Sequence, residues 1–448
     1  MHVIVCGAGE VGLHVADRLS REGHDVALVE RNPQRLAEAD ARLDVQTVLG
    51  SGTSPSVLQQ AKVDKAELFV AVTNDDEVNL VATLIAKQAG VDTAVVRLQS
   101  DDLRGTQSSR LRKSMGVDYM IDPDLETANE IFELLRFPGA SEIFPMAGGD
   151  VMLIGARLPA DAPMVGQTLN ELAQAYEPHW DFLIGSITRK GSTVIARQDL
   201  RLEPEDHLRI VSNARGRRQL LELLGLGRRA MRRVTLLGGG HTARTLAQRL
   251  QEVGAFVTIV ERKPERARAL AERLEHCIVL QGEITDADLL TQEEIGRQDV
   301  VIALTGDDDA NILACLFAKA SGASETIAVV HRLALLPLVH EAGIDVAISP
   351  RTATANAVLR FVRGGEISSV TTFLEGEAEI LELQVKESSI ADGAVVAELP
   401  LPRDVLIGAV VRDGNAEIAR GRTKLRDQDR VIVFAMPSAT RAVRRIFA

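Results

Sequence analysis

Aromatic residues are scarce in this 448-residue chain: they make up 3% of it, with one Trp and two Tyr. Its cores must therefore come from Val, Leu, Ile and Ala, and a 46% hydrophobic content supplies them. Aliphatic cores of this kind suit buried parallel strands covered by helices. Cysteine is nearly absent. Cys6, Cys277 and Cys315 are odd in number, far apart and set in apolar runs, which reads as buried thiols in a reducing cytosol. The nine histidines show no HxxxH or Cys/His ligand spacing, so no metal site is expected. No stretch of about 18 apolar residues occurs, and the start, Met1-His2-Val3-Ile4-Val5, enters a strand at once, leaving no room for a signal peptide. Positive charge is outweighed. A net charge of -12 lacks the basic footprint that nucleic acid or anionic lipid requires, so a membrane role would need a protein partner to dock on. The phosphate loop of ATP hydrolases, G-x-x-x-x-G-K-[ST], is missing. Neither Tyr119 nor Tyr176 starts a Tyr-x-x-x-Lys pair, which removes short-chain dehydrogenase chemistry.

What is present is a long tandem repeat. Gly7-Ala8-Gly9 returns 231 residues later as Gly238-Gly239-Gly240, and Glu30 returns as Glu261 at the same offset. Thr73-Asn74-Asp75-Asp76 through Asn79 returns as Thr305-Gly306-Asp307-Asp308 through Asn311. Asp122-Pro123 parallels Ser349-Pro350, Arg189-Lys190-Gly191 parallels Arg412-Asp413-Gly414, and Asp206 parallels Asp429. Each half thus has a larger front part and a smaller rear part. The expected domains are 1–124 and 231–349 for the front parts, and 142–227 and 367–448 for the rear parts. The seam between the halves carries Arg228, Arg229, Arg232 and Arg233, read as a solvated linker or as a contact for an acidic partner.

Both front parts alternate short Val-rich runs with amphipathic segments. Strands are expected at 3–6, 26–29, 68–72 and 94–98, and again at 234–237, 257–260, 300–304 and 327–330. Alternating βα units imply an α/β fold with two Rossmann-like, doubly wound parallel sheets. Gly7-Ala8-Gly9-Glu10-Val11-Gly12 follows the first strand and opens a helix, the context in which a GxGxxG loop binds a pyrophosphate on backbone N–H groups and the helix dipole. Glu30 closes the second strand, where a carboxylate accepts from both ribose hydroxyls and repels a 2′-phosphate. NAD is thereby favoured over NADP, although Arg31 follows directly. Thr73 and Asn74 stand at the rim where such sheets bind ligands, and Asn74 or Asp75 also serves as a helix cap. Arg97, also at the rim, is placed to reach a phosphate or to form a salt bridge. The second set is Gly238, Gly239, Gly240, His241, Thr242, Glu261 and Thr305, with His331 taken as the counterpart of Arg97. The rear parts look like small mixed α/β modules with no catalytic constellation, able to bind a small ligand, to dimerise or to touch a partner. A dehydrogenase would need a substrate domain and an acid/base group, for which little chain remains. A nucleotide sensor, an NADH-dependent oxidoreductase or redox sensor, and a scaffold with vestigial sites stay open on the residues alone.

The sequence of motifs, from Gly7 to Gly12, Glu30, Thr73 to Asn79, then Gly238 to Ala243, Glu261, Thr305 to Asn311, Ile348-Ser349-Pro350-Arg351-Thr352-Ala353 and Ile407 to Gly414, resembles a known family over nearly the whole chain. It is similar to the tandem RCK (regulator of potassium conductance) peripheral subunits of bacterial Trk potassium-uptake systems. The resemblance implies a cytoplasmic regulatory subunit, not an enzyme, on the inner face of the cell membrane. It implies a homotetrameric ring beneath an integral-membrane, TrkH-like potassium-translocating subunit, and binding of NAD or NADH, with ATP or ADP as the alternative. It further implies that Gly7 to Val11, Glu30, Thr73, Asn74 and Arg97 hold the ligand, and that the helix after Asp122-Pro123, with Ile131, Leu134 and Leu135 on its apolar face, is a crossover element. The chain departs from relatives at Gly50-Ser51-Gly52-Thr53 and at His241-Thr242-Ala243.

Overall fold

The computed structural model describes all residues except 105–107, 138, 177–179, 214, 226–231, 364–369, 373–377 and 448, and also leaves out the side chains of 337, 340, 363 and 370–372. The seam arginines Arg228 and Arg229, and the expected domain limits at 227, 231 and 367, lie outside the described residues. The molecule divides into two compact units that cut across the repeats: one comprises 1–132 with 231–362, the other 133–230 with 363–448. Both front parts share the first unit and both rear parts share the second.

In the first unit each front part builds a six-stranded parallel sheet. The strands of the first are β1 (His2–Cys6), β2 (Asp25–Glu30), β3 (Gln46–Leu49), β4 (Leu68–Ala71), β5 (Thr93–Arg97) and β6 (Tyr119–Ile121), in the order β3-β2-β1-β4-β5-β6. The crossover from β3 back to β4 puts the switch point between β1 and β4, where ligands of doubly wound sheets sit. β1 is buried along its whole length, as the run His2-Val3-Ile4-Val5-Cys6 requires. In the helix Glu10–Arg21, Val11, Val15 and Leu19 are buried while Glu10 and Arg21 face solvent, the one-sided pattern of a surface helix. The second sheet repeats this order with Arg233–Leu237, Phe256–Glu261, Cys277–Gln281, Val300–Ala303, Glu325–Val329 and Val346–Ile348.

The two front parts are tied by exchanged helices. Ala355, Ala357, Val358 and Leu359, on the second repeat's helix Pro350–Arg363, belong to the same buried cluster as Val3, Val5, Val15 and Leu19 of the first. Phe361 stacks on Tyr119 with ring centroids 4.4 Å apart, and Arg360 pairs with Glu126. In the other direction, Arg249 lies 4.6 Å over the Phe132 ring and donates to Asn129. The apolar face of the helix Pro123–Leu135 (Ile131, Leu134, Leu135) is buried within this single chain.

The second unit holds two five-stranded antiparallel sheets, one per rear part. Val151, Leu153 and Val211 from one sheet share a buried cluster with Ile380, Ile432 and Phe434 from the other. The expected turns are present, with Lys190 and Gly191 at φ 51° and 79°, and Asp413 and Gly414 at φ 50° and 75°. The two positive φ values in succession match a two-residue hairpin turn. Each hairpin is pinned by a bidentate pair: Arg189 to Asp206 at 2.7 and 2.8 Å, and Arg412 to Asp429 at 2.7 and 2.6 Å. Among the described residues no helix is long and apolar enough to cross a membrane.

Candidate functional site

β1 delivers the chain into Gly7, whose φ of 107° lies in the left-handed region. A Cβ there would also come within 3.1 Å of Thr73 N and Cγ2, so the turn requires glycine on two grounds. At Gly12 a Cβ would sit 1.8 Å from the Gly7 carbonyl oxygen; glycine alone lets the helix begin this close to the strand. Beside Gly9 a Cβ would meet nothing within 4 Å, so the backbone there is open to a ligand. Gly9 is also the helix N-cap, with no side chain bonded to the first turn. The positive end of the helix is thus presented to an anion.

This loop walls a cavity of about 290 Å³. Of the residues singled out from the sequence, Gly7, Gly9, Glu30, Thr73 and Asn74 line it. Ala8, Glu10 and Val11 belong to the loop without lining the cavity, and Arg97 does not line it but is bonded to Thr73 and Asn74, which do. Glu30, at the end of β2, is 7% exposed. Its Oε2 accepts from Ala8 N–H at 2.7 Å and its Oε1 from Asn32 N–H at 2.8 Å, which fixes the carboxylate and leaves each oxygen a lone pair for a hydroxyl. Thr73 is held by the fully buried Asn79. Asn79 Oδ1 accepts from Thr73 N–H and Oγ1–H at 3.0 and 2.6 Å, and Asn79 Nδ2 donates to the carbonyls of Thr73 and Arg97 at 3.1 and 3.0 Å. One amide therefore stitches the ends of β4 and β5. Arg97 donates to Thr73 O at 3.1 Å and to Asn74 Oδ1 at 2.8 Å. Burial lowers the proton affinity of its guanidinium, with Asp76 acting the other way. Asp75, not Asn74, caps the next helix by accepting from Val78 N–H at 2.9 Å.

The cavity also contains Gly50, Ser51 and Gly52, which the sequence marks only as a departure from relatives, and Cys6 and Arg35, which motif reading does not single out as site residues. Arg35 has a sequence signal, since the other repeat carries Arg266 at the same place. Burial, and then the charge of Glu30, push the Cys6 thiol up to about 12. It is protonated at neutral pH and unsuited to thiolate chemistry.

The second loop keeps the scaffold. Gly238 has φ 113°, and Gly240 is as open as Gly9. Glu261 accepts from Gly239 N–H at 2.9 Å and Lys263 N–H at 2.8 Å, and Asn311 holds Thr305 as Asn79 holds Thr73. The surroundings differ. Ile284, buried, takes the place of Gly52 and Leu237 that of Cys6. Glu283 replaces Ser51 and lies 3.6 Å from Arg262. Thr242 donates to Asp124 Oδ1 at 2.8 Å, and His241 lies 3.6 Å from both Asp101 and Asp122. A cleft of about 410 Å³ beside this loop is lined by Gly239, Gly240, His241, Arg244, Arg266 and Arg273, with Gln99, Asp101, Arg104 and Asp124 of the first repeat. Gly238, Thr242, Glu261 and Thr305 do not line it. The pairing of Arg97 with His331 is corrected: Asn311 Nδ2 donates to the Val329 carbonyl at 2.9 Å, so Val329 holds the Arg97 position. His331 matches Gln99 instead, with its N–H on Asp308 at 2.8 Å.

The chain matches the TrkA-N domain family over residues 3–123 and 234–350, and the TrkA-C domain family over 153–225 and 380–448. It is 34% identical to the Trk system potassium uptake protein TrkA of Azorhizobium caulinodans over 100% of this chain and 98% of that one. The TrkA homolog of Archaeoglobus fulgidus is 34% identical over 100% of both chains. Among solved structures, the GsuK RCK domain superposes with a TM-score of 0.58 at 16% identity, covering 99% of this chain and 94% of that one. The GsuK channel bound to NAD gives 0.59 at 16% identity, covering 100% and 78%. The structural likenesses establish the fold, and the full-length relatives establish descent: the chain belongs to the TrkA family of Trk potassium-uptake proteins, a tandem-RCK regulatory family that is not catalytic.

Proposed function

We propose that the chain binds NAD or NADH in the first cavity and thereby gates potassium movement through an integral-membrane, TrkH-like partner, acting from the cytoplasmic face as a homotetrameric ring. The observation that carries this reading is the open backbone at Gly9 opposite the pinned Glu30 carboxylate, in one cavity. The loop suits a pyrophosphate and the carboxylate suits a ribose diol. A channel of similar fold is bound to NAD, which supports the choice of ligand. ATP and ADP share the adenosine diphosphate half and are the alternative ligands. Binding can move the gate only by favouring one ring shape over another, and a coupling of roughly 1–3 kcal/mol is ordinary. The second loop is assigned no nucleotide.

Calorimetry of the purified chain with NADH, NAD, NADPH, ATP and ADP tests the reading. Selective binding of an adenine nucleotide, lost in Glu30→Ala while the protein stays folded, is the expected result. Binding that is indifferent to Glu30→Ala, or no binding by any of the five, would overturn it.

A further inference from the structure

A residue from the other repeat reaches the first turn of the helix that follows the first glycine loop. Arg351 is the second residue of the helix Pro350–Arg363, and its guanidinium pairs with Glu10. Glu10 is the first residue of the helix whose open end the glycine loop presents. The Arg351 helix is not loosely placed. Its later turns are buried in the first sheet's core, and Phe361 and Arg360 fasten it to Tyr119 and Glu126. The Arg351–Glu10 pair itself is exposed, at 39% and 40%. An exposed pair of this kind is weak and exchangeable, whereas a diphosphate offers a guanidinium stronger, bidentate bonds. The positive charge of Arg351 is felt at Arg97, where it lowers the proton affinity of the guanidinium after burial has done most of that work. An anion close to both would be favoured.

The other loop supplies an internal comparison. The position matching Arg351, directly after the helix-opening proline, is Asp124. Its carboxylate accepts from Thr242 in the second loop at 2.8 Å. Asp101 and Asp122 lie 3.6 Å from His241, and the Arg97 position is Val329. The corresponding exchanged helices therefore place an arginine at the first loop and an aspartate at the second, where Arg104 pairs with Asp101, Asp122 and Asp124.

We propose that Arg351 completes the first cavity as a phosphate-recognising residue supplied by the second repeat, and that a bound diphosphate draws its guanidinium away from Glu10, joining the two repeats through the ligand. This rests on the first-cavity reading above. It makes this one contact between repeats, the Arg351–Glu10 pair, respond to phosphate, and so assigns regulation to the diphosphate and not to the adenosine.

The test is calorimetry of the full chain with ADP, NADH and adenosine, for wild type, Arg351→Gln and Arg351→Lys, with thermal melts as a check of folding. Arg351→Gln is expected to weaken ADP and NADH by about tenfold or more and to leave adenosine unchanged, with Arg351→Lys intermediate. Equal losses for ADP and adenosine would mean that Arg351 only shapes the cavity, and unchanged ADP binding would mean that it does not reach the phosphates; either result overturns the proposal. If wild type binds neither ADP nor NADH, the first-cavity reading fails and takes this inference with it. If wild type binds and the variants do not differ, only this inference fails.

Discussion

The two glycine loops have the same skeleton and opposite neighbours. In each, a carboxylate ties down the loop and a buried asparagine ties the fourth strand to the fifth, at nearly equal distances. Around the first loop the side chains are small or cationic: Gly52, Ser51, Arg35 and Arg351. Around the second, Ile284, Glu283 and Asp124 take the places of Gly52, Ser51 and Arg351, although Arg266 keeps the place of Arg35 and Arg244 and Arg273 line the cleft beside it. The two repeats therefore share the bonds that fold the loop and differ in the side chains beside it. Glu30 and Glu261 each pin the loop through backbone N–H groups, so a carboxylate at this position is explained by folding before any ligand is invoked.

The sharpest way to break this comparison is through the buried asparagines. Asn79→Ala and Asn311→Ala should each cost about 2–3 kcal/mol, since each leaves buried strand-end groups unpaired. Denaturant unfolding should show similar losses, and a large disparity would mean the skeletons are not equivalent. Next come the carboxylates. Glu30→Ala should weaken NADH by about tenfold or more, while Glu261→Ala leaves nucleotide affinity unchanged; loss of binding in the Glu261 variant would restore the second loop as a ligand site. Gly9→Ala should lower NADH affinity by a few-fold, about 1 kcal/mol, without a change in melting temperature, because a Cβ there meets no protein atom within 4 Å. Gly240→Ala should affect neither quantity.

The smallest effect concerns a residue beside the second loop. Burial opposes ionisation of Asp308, but N–H and side-chain bonds from His331 and Arg332 outweigh it and hold the carboxyl at about 2. The folded-state value lies below the ordinary carboxylate value of about 4. Its stabilisation is therefore complete above about pH 4 and lost as pH falls toward 2. Asp308→Asn should cost about 1 kcal/mol at neutral pH, a figure reduced for solvent screening, and should flatten the stability profile between those limits. An acid limb identical to wild type would remove Asp308 as its cause.

Much of this was legible in the sequence because it is local. The Val-rich runs, the helix with Val11, Val15 and Leu19, and the glycine spacing each lie within one βαβ unit, where periodicity and turn chemistry act over few residues. The His331 assignment departed from the offset of 232 that Thr73 with Thr305 and Asn79 with Asn311 already set, which leads from Arg97 to Val329. The Asn79 and Asn311 bonds fix that register. Arg351 was quoted only as part of a motif, since its pairing with Glu10 depends on a helix from the distant repeat. The grouping of front with front and rear with rear was equally invisible, because no local pattern records which half of a duplicated chain buries which face.

That grouping sets a timetable for synthesis. The first sheet is made by residue 121, yet part of its core is Ala355, Val358 and Leu359. A nascent chain therefore carries an incompletely covered sheet while more than half of the protein is still to be translated. Contacts of such sequence separation form slowly, and the exposed apolar face is an aggregation hazard in the interval. The cost of a core shared between repeats thus falls on synthesis: the chain should depend on chaperones until Leu359 has been made, and a stalled first half should be found with them.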